Sequence, residues 1–151
     1  MEKAAFRSEC NVTSLRKATR HVSQLYDEML ATCGMRATQR AILVYIKQAG
    51  SPTIGKLADE LVLDRTALNH NLKPLQRDGL VTINIDRNDR RSRLVQLTKR
   101  GEARLEESRS AWKRAQDRFE AAFGAGEAVE LRKTLEWIAS LEFPEKTPSA
   151  S

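Results

Sequence analysis

Apolar residues at three- and four-residue steps (Leu15, Ala18, Val22, Leu25 and Met29) mark one stripe of an amphipathic helix, which the spacing predicts from Asn11 to about Cys33. Asn11 or Thr13 is placed to cap it and Gly34 to end it. A second helix is expected from near Thr38 to Gly50, with Ala41, Ile42, Tyr45 and Ile46 turned inward. Ser51-Pro52-Thr53 makes a turn, and Thr53 can cap a short helix carrying Ile54, Leu57, Ala58 and Leu61. The next helix opens at Asp64, whose carboxylate can accept from first-turn amides. Leu68, Leu72 and Leu75 form its inner face, with Thr66, Asn69, His70 and Lys73 opposite, alongside Arg65. Pro74 deletes one backbone hydrogen bond at a cost of roughly 3 kcal/mol, so a bent final turn is expected there.

The period then changes. Leu80-Val81-Thr82-Ile83 and Leu94-Val95-Gln96-Leu97 are β-favouring runs around a polar turn, which predicts a hairpin with Arg87, Arg90, Arg91 and Arg93 near its tip. Thr98 is placed to cap a long charged helix from Lys99 to about Phe123. Gly124-Ala125-Gly126 should break it, and a last helix from Glu127 to Phe143 should bury Val129, Leu131, Leu135, Ile138 and Leu141. The fold class is mainly α with a small β-hairpin wing, an α+β winged helix-turn-helix. Residues 34–98 form the winged domain, with 64–78 as the second helix of its helix-turn-helix and 84–93 as the wing. Residues 1–10 are expected to be flexible and 144–151 a disordered tail. The helices over 11–33 and 99–143 are too long and amphipathic to be satisfied by one small domain, which predicts a helical dimerisation region and a two-fold homodimer.

At 151 residues the chain can hold one domain with a substantial core, or a small domain with added helices. Its net charge is +6, and between Asp64 and Arg100 nine Lys and Arg stand against four Asp and Glu. That local excess is chiefly arginine in one turn, the footprint of a polyanion partner. Guanidinium forks bind phosphates or enter a narrow minor groove. Two cysteines, Cys10 and Cys33, and two histidines, His21 and His70, give neither a disulfide framework nor a metal site. No glycine-rich phosphate loop, useful carboxylate pair or nucleophile with a nearby base is present, so neither an enzyme nor a cofactor is expected. The N-terminus lacks the apolar run of a signal peptide and no segment reaches the roughly 20 apolar residues of a bilayer span, so a cytoplasmic location without membrane contact is expected.

With Asp64-Arg65-Thr66-Ala67-Leu68, then Gln76-Arg77-Asp78-Gly79-Leu80-Val81, then Asp89-Arg90-Arg91 followed by Leu97-Thr98 and Gly101, the chain resembles the MarR family of transcriptional regulators over residues 11–143. The resemblance implies a homodimeric repressor of palindromic double-stranded DNA, with the recognition helix in the major groove and the wings in adjacent minor grooves. Arg65, Thr66, Asn69, His70 and Lys73 are then DNA-binding candidates, Asn69 suited to a bidentate contact with adenine and Arg65 to a guanine or a phosphate. Arg91 is the candidate for minor-groove insertion, Asp89 for orienting a wing arginine, and Arg87, Arg90 and Arg93 for phosphate contacts.

The resemblance also implies release by a small aromatic or phenolic acid, for which Lys17 and Arg20 are candidate ligands one turn apart on the first helix. An alternative is an oxidant-sensing regulator switched by Cys10, which lies near a helix N-terminus where a thiol pKa falls. Val12 occupies the position that aligns with the sensing cysteine of the organic-hydroperoxide regulators. A further alternative, a winged helix that docks proteins, would favour an apolar or acidic recognition face. The arginine wing is the reverse of that.

Overall fold

The computed structural model describes residues 7–144. The first six residues of the expected flexible N-terminus, and the expected tail beyond Pro144, lie outside the described residues. The elements run α1 (Asn11–Leu30), a 3-10 turn (Ala31–Cys33), α2 (Ala37–Ala49), α3 (Ile54–Glu60), α4 (Arg65–Arg77), β1 (Val81–Ile85), β2 (Arg93–Leu97), α5 (Lys99–Phe123) and α6 (Ala125–Ala139). Two compact units emerge, one ending at Asp117 and the other beginning at Arg118.

The core of the first unit is built by α2, α3, α4 and the hairpin. Ile42, Leu43 and Ile46 meet Leu57, Leu68, Leu72, Leu75, Val81 and Val95, all essentially buried, and α5 contributes Leu105. Ala41, expected inside, is exposed, and Leu43 is buried instead. At 100° per residue Ala41 stands about 140° from Ile46 round the helix, so the stripe that includes Leu43 wins. Neither Asn11 nor Thr13 caps α1; Cys10 is its N-cap residue, without a side-chain cap. Gly34 ends the 3-10 turn in the left-handed conformation, φ 65°. Asp27 Oδ1 accepts from the Ala37 amide at 2.7 Å, so α1 satisfies the first turn of α2, and the Tyr26 hydroxyl donates to Gln116 of α5. Toward its N-terminal end α1 leaves Val12 and Leu15 exposed.

In the turn from α3 to α4, Val62 holds φ 51° while 70% exposed. That conformation costs an L-residue roughly 1–2 kcal/mol, and asparagine tolerates it best among side chains larger than glycine. Val62→Asn is expected to raise stability by about 0.5–1 kcal/mol, seen as a higher urea midpoint at unchanged slope. An unchanged or lower midpoint would show that this turn holds no such strain.

The second unit holds the end of α5 and α6. Gly124, φ 111°, separates them, and Phe119 and Phe123 stack with ring centroids 5.4 Å apart. Gly126 does not break the chain but lies in the first turn of α6, which begins at Ala125 and stops at Ala139. The early stop has a local cause: Pro144 disfavours helical backbone at Phe143, and Ser140 closes the last turn on Glu136 and Trp137. The expected burial of α6 is also revised. Val129, Leu135 and Leu141 are each about two-fifths exposed, Trp137 is 66% exposed, and only Ala128 of this helix is buried.

Candidate nucleic-acid interface

Helix α4 starts where Asp64 Oδ1 accepts from the Ala67 amide at 2.7 Å. It continues through Pro74 to Arg77. Arg65, Thr66, Asn69, His70 and Lys73 are all exposed, as are Gln76 and Arg77, which extend the same polar surface. Asn71 is withdrawn from it, because its side-chain amide donates to the Ala67 carbonyl at 2.9 Å.

The wing is an antiparallel hairpin with Val81 opposite Leu97 and Ile85 opposite Arg93. Its outer edge is extended by the segment before α3, since the Val95 amide donates to the Pro52 carbonyl at 2.9 Å. Short polar side chains build the tip. Asp86 Oδ1 accepts from the Asn88 amide at 2.9 Å, and Asp89 Oδ1 from the Arg91 amide at 3.0 Å. Ser92 Oγ donates to Asp89 Oδ2 at 3.2 Å. Asp89 thus orients the backbone of Arg91, not a guanidinium. Arg93 turns back, donating from Nη1 to the Arg90 carbonyl at 3.2 Å, and so braces the tip. Arg87, Arg90 and Arg91 are exposed, and among the described residues none of the three is in an ion pair. Three un-neutralised guanidinium groups on a braced turn make an anion-seeking surface.

A polar clamp joins the end of α4 to the start of α5. Thr98 Oγ1 donates to the Gly79 carbonyl at 2.6 Å and accepts from the Gly101 amide at 2.9 Å. The Thr98 amide donates to the Leu80 carbonyl at 3.1 Å.

Lys17 and Arg20 lie exposed on α1, and neither lines the cleft of about 340 Å³ between α2 and α5. That cleft carries Arg40, Lys47, Glu106 and Arg109 over Val44 and Leu105. Arg40 Nε donates to the buried Ser108 hydroxyl at 3.1 Å, and its guanidinium lies 4.7 Å from the centre of a Trp112 ring. Burial, and then the charge of Arg109, hold its pKa below the ordinary arginine value. This cleft is not announced by any motif in the sequence. Its only local trace is Arg40, Val44 and Lys47 recurring at four- and three-residue steps.

Cys10 is exposed at the N-cap of α1, where the nearby Thr13 hydroxyl and amide hold its thiol pKa below the ordinary value. Cys33 is half-buried, with Sγ 3.8 Å from the Glu107 carbonyl oxygen. Among the described residues no group of His, Cys, Asp or Glu is arranged to hold a metal, and no helix is long and apolar enough to cross a membrane.

A family model described as the MarR family matches residues 35–92, from the start of α2 through the wing tip. The transcriptional regulator MosR of M. tuberculosis, solved in complex with DNA, is 30% identical, with a TM-score of 0.77 over 87% of this chain and 94% of that one. A variant of MarR from E. coli, complexed with operator DNA, is 25% identical, with a TM-score of 0.74 over 83% of this chain and 91% of that one. A probable transcriptional regulator from Pseudomonas aeruginosa is 25% identical, with a TM-score of 0.75 over 86% and 97%. No curated protein sequence matches the chain significantly.

Proposed function

The chain belongs to the MarR family of transcriptional regulators, and from that premise we propose that it is a homodimeric repressor of a palindromic operator. In this reading each protomer lays α4 in the major groove and sets its wing in the neighbouring minor groove. The observation that carries it is the braced tip holding Arg87, Arg90 and Arg91 without ion-pair partners, beside an exposed face of Thr66, Asn69, His70 and Lys73. The dimer is supported by the apolar side chains that α1 and α6 leave in solvent, Val12 and Leu15 on one and Val129, Leu135, Trp137 and Leu141 beyond Gly124. Burying apolar area of that kind is worth about 25 cal/mol per Å², and a symmetric pair presents two recognition helices to two half-sites.

Footprinting on the DNA upstream of the chain's own gene tests this. Two protected half-sites, centred about one helical turn apart or a multiple of it, are expected, together with a dimer by sedimentation at micromolar concentration. A stable monomer protecting a single half-site would overturn it.

Release by a small aromatic acid belongs to the same reading. The α2–α5 cleft supports it better than Lys17 and Arg20 do, because Arg40 and Lys47 line it together with Val44 and Leu105, while Glu106 there pairs with Arg109 at 3.8 Å. A ligand acts only through unequal affinity for DNA-competent and incompetent states. Salicylate should therefore dissociate the protein–DNA complex, and Arg40→Gln should weaken that response. Equal salicylate affinity of free and DNA-bound protein would dispose of it.

The thiol environment of Cys10 favours a second reading, oxidation at the N-cap of α1 as the switch. Peroxide should then abolish DNA binding in the wild type and not in Cys10→Ser. Identical behaviour of the two proteins would end that reading.

A further inference from the structure

We infer that Arg65 is a phosphate clamp that sets the register of α4 on DNA, not a reader of bases; this rests on the DNA-binding reading above. The first reason is angular. At 100° per residue Arg65 stands about 20° from the buried Leu72 and about 80° from Lys73 round the helix. Of the other exposed polar residues Asn69 stands at about 40°, Thr66 at about 100° and His70 at about 140°. Exposed Arg65 therefore begins at the border between the buried stripe of Leu68, Leu72 and Leu75 and the polar face. The face that carries Asn69, Lys73, Thr66 and His70 is centred about 90° away, and Arg65 lies beyond its Asn69 edge.

The second reason is where the side chain goes. A β-carbon placed on Gly55 would lie 4.0 Å from Nη2 of Arg65 and 3.9 Å from the Thr53 hydroxyl. The guanidinium reaches back over the first turn of α3, across a residue with no side chain of its own. Exposed Lys56 follows in sequence. Among the described residues no acid lies within ion-pair distance of Arg65.

Residues at the start of a recognition helix read base edges from the face that is turned into the groove. A cation displaced to the flank of that helix, over the neighbouring helix, meets the strand that borders the groove instead, and such contacts fix orientation without carrying sequence information. Arginine suits the position because its fork can hold two phosphate oxygens at once.

The test compares Arg65→Ala, Arg65→Lys and Asn69→Ala, each checked for an unchanged melting temperature, on the footprinted duplex and on a shuffled copy across a salt series. Arg65→Ala should lose roughly tenfold in affinity on both duplexes alike. Its salt slope should fall by about 0.9, the share of one phosphate. Arg65→Lys should restore the slope, since a point charge suffices, while Asn69→Ala should lose affinity for the footprinted duplex alone. A loss confined to that duplex in Arg65→Ala, or an unchanged slope, would overturn the clamp while leaving the DNA-binding reading intact. Wild-type protein that bound no duplex would overturn both.

Discussion

Gly101→Ala is expected to destabilise the protein by about 3 kcal/mol or more and to weaken DNA binding as well. A β-carbon at Gly101 would stand 2.0 Å from the Leu80 carbonyl oxygen and 2.9 Å from the carbonyl carbon. Both are backbone atoms, so no side chain can swing aside. The first turn of α5 must move away from Leu80, or Leu80 must move away from the helix. Either movement breaks the bonds of Thr98 to Gly79, Leu80 and Gly101. Those bonds join the end of α4 to β1 and to α5, so the loss extends to the placement of wing and recognition helix. Gly126→Ala is the control. Nothing lies within 4 Å of its added β-carbon, so it should leave stability unchanged or raise it by up to about 1 kcal/mol. Thermal melts of the two variants decide the matter. A Gly101→Ala protein that melts with the wild type would mean that this approach is looser than the geometry gives.

The elements that were legible in the sequence are those whose chemistry is local. Thr53, Asp64 and Thr98 each cap a helix through an amide three residues on, and all three bonds are formed. Gly34 and Gly124 end helices with φ of 65° and 111°. The hairpin followed from two apolar, β-favouring runs around a polar turn. The inward place of Leu43 was legible all the same, since at 100° per residue it stands about 60° from Ile46 and Ala41 about 140°. What was not legible depends on distant partners. Arg40 meets Ser108, 68 positions away, so no window along the chain reveals the cleft. Arg93 reads as one more wing cation, and its return to the Arg90 carbonyl is a property of the folded turn. The apolar positions of α6 were legible as a stripe, yet a stripe does not say whether its own chain or another covers it.

Replacing Arg87, Arg90 and Arg91 together by alanine is expected to lower DNA affinity about a thousandfold at low salt while leaving the fold intact. All three side chains are exposed and outside ion pairs, so their removal should change stability by no more than about 0.5 kcal/mol. The tip keeps its shape, because Asp86, Asp89 and Ser92 bond to backbone or to one another and Arg93 remains to brace it. The loss should fall on cognate and shuffled duplexes in similar proportion, since contacts to the sugar-phosphate edge carry little sequence information. The dependence of log K on log salt should flatten by about 0.9 for each arginine that neutralises a phosphate. Asp89→Ala separates presentation from charge. It removes no cation but releases the Arg91 amide and the Ser92 hydroxyl, so affinity should fall while the salt slope stays close to wild type. If the triple variant bound DNA with the wild-type slope, the wing would be a solvated surface, and recognition would have to rest on α4 alone.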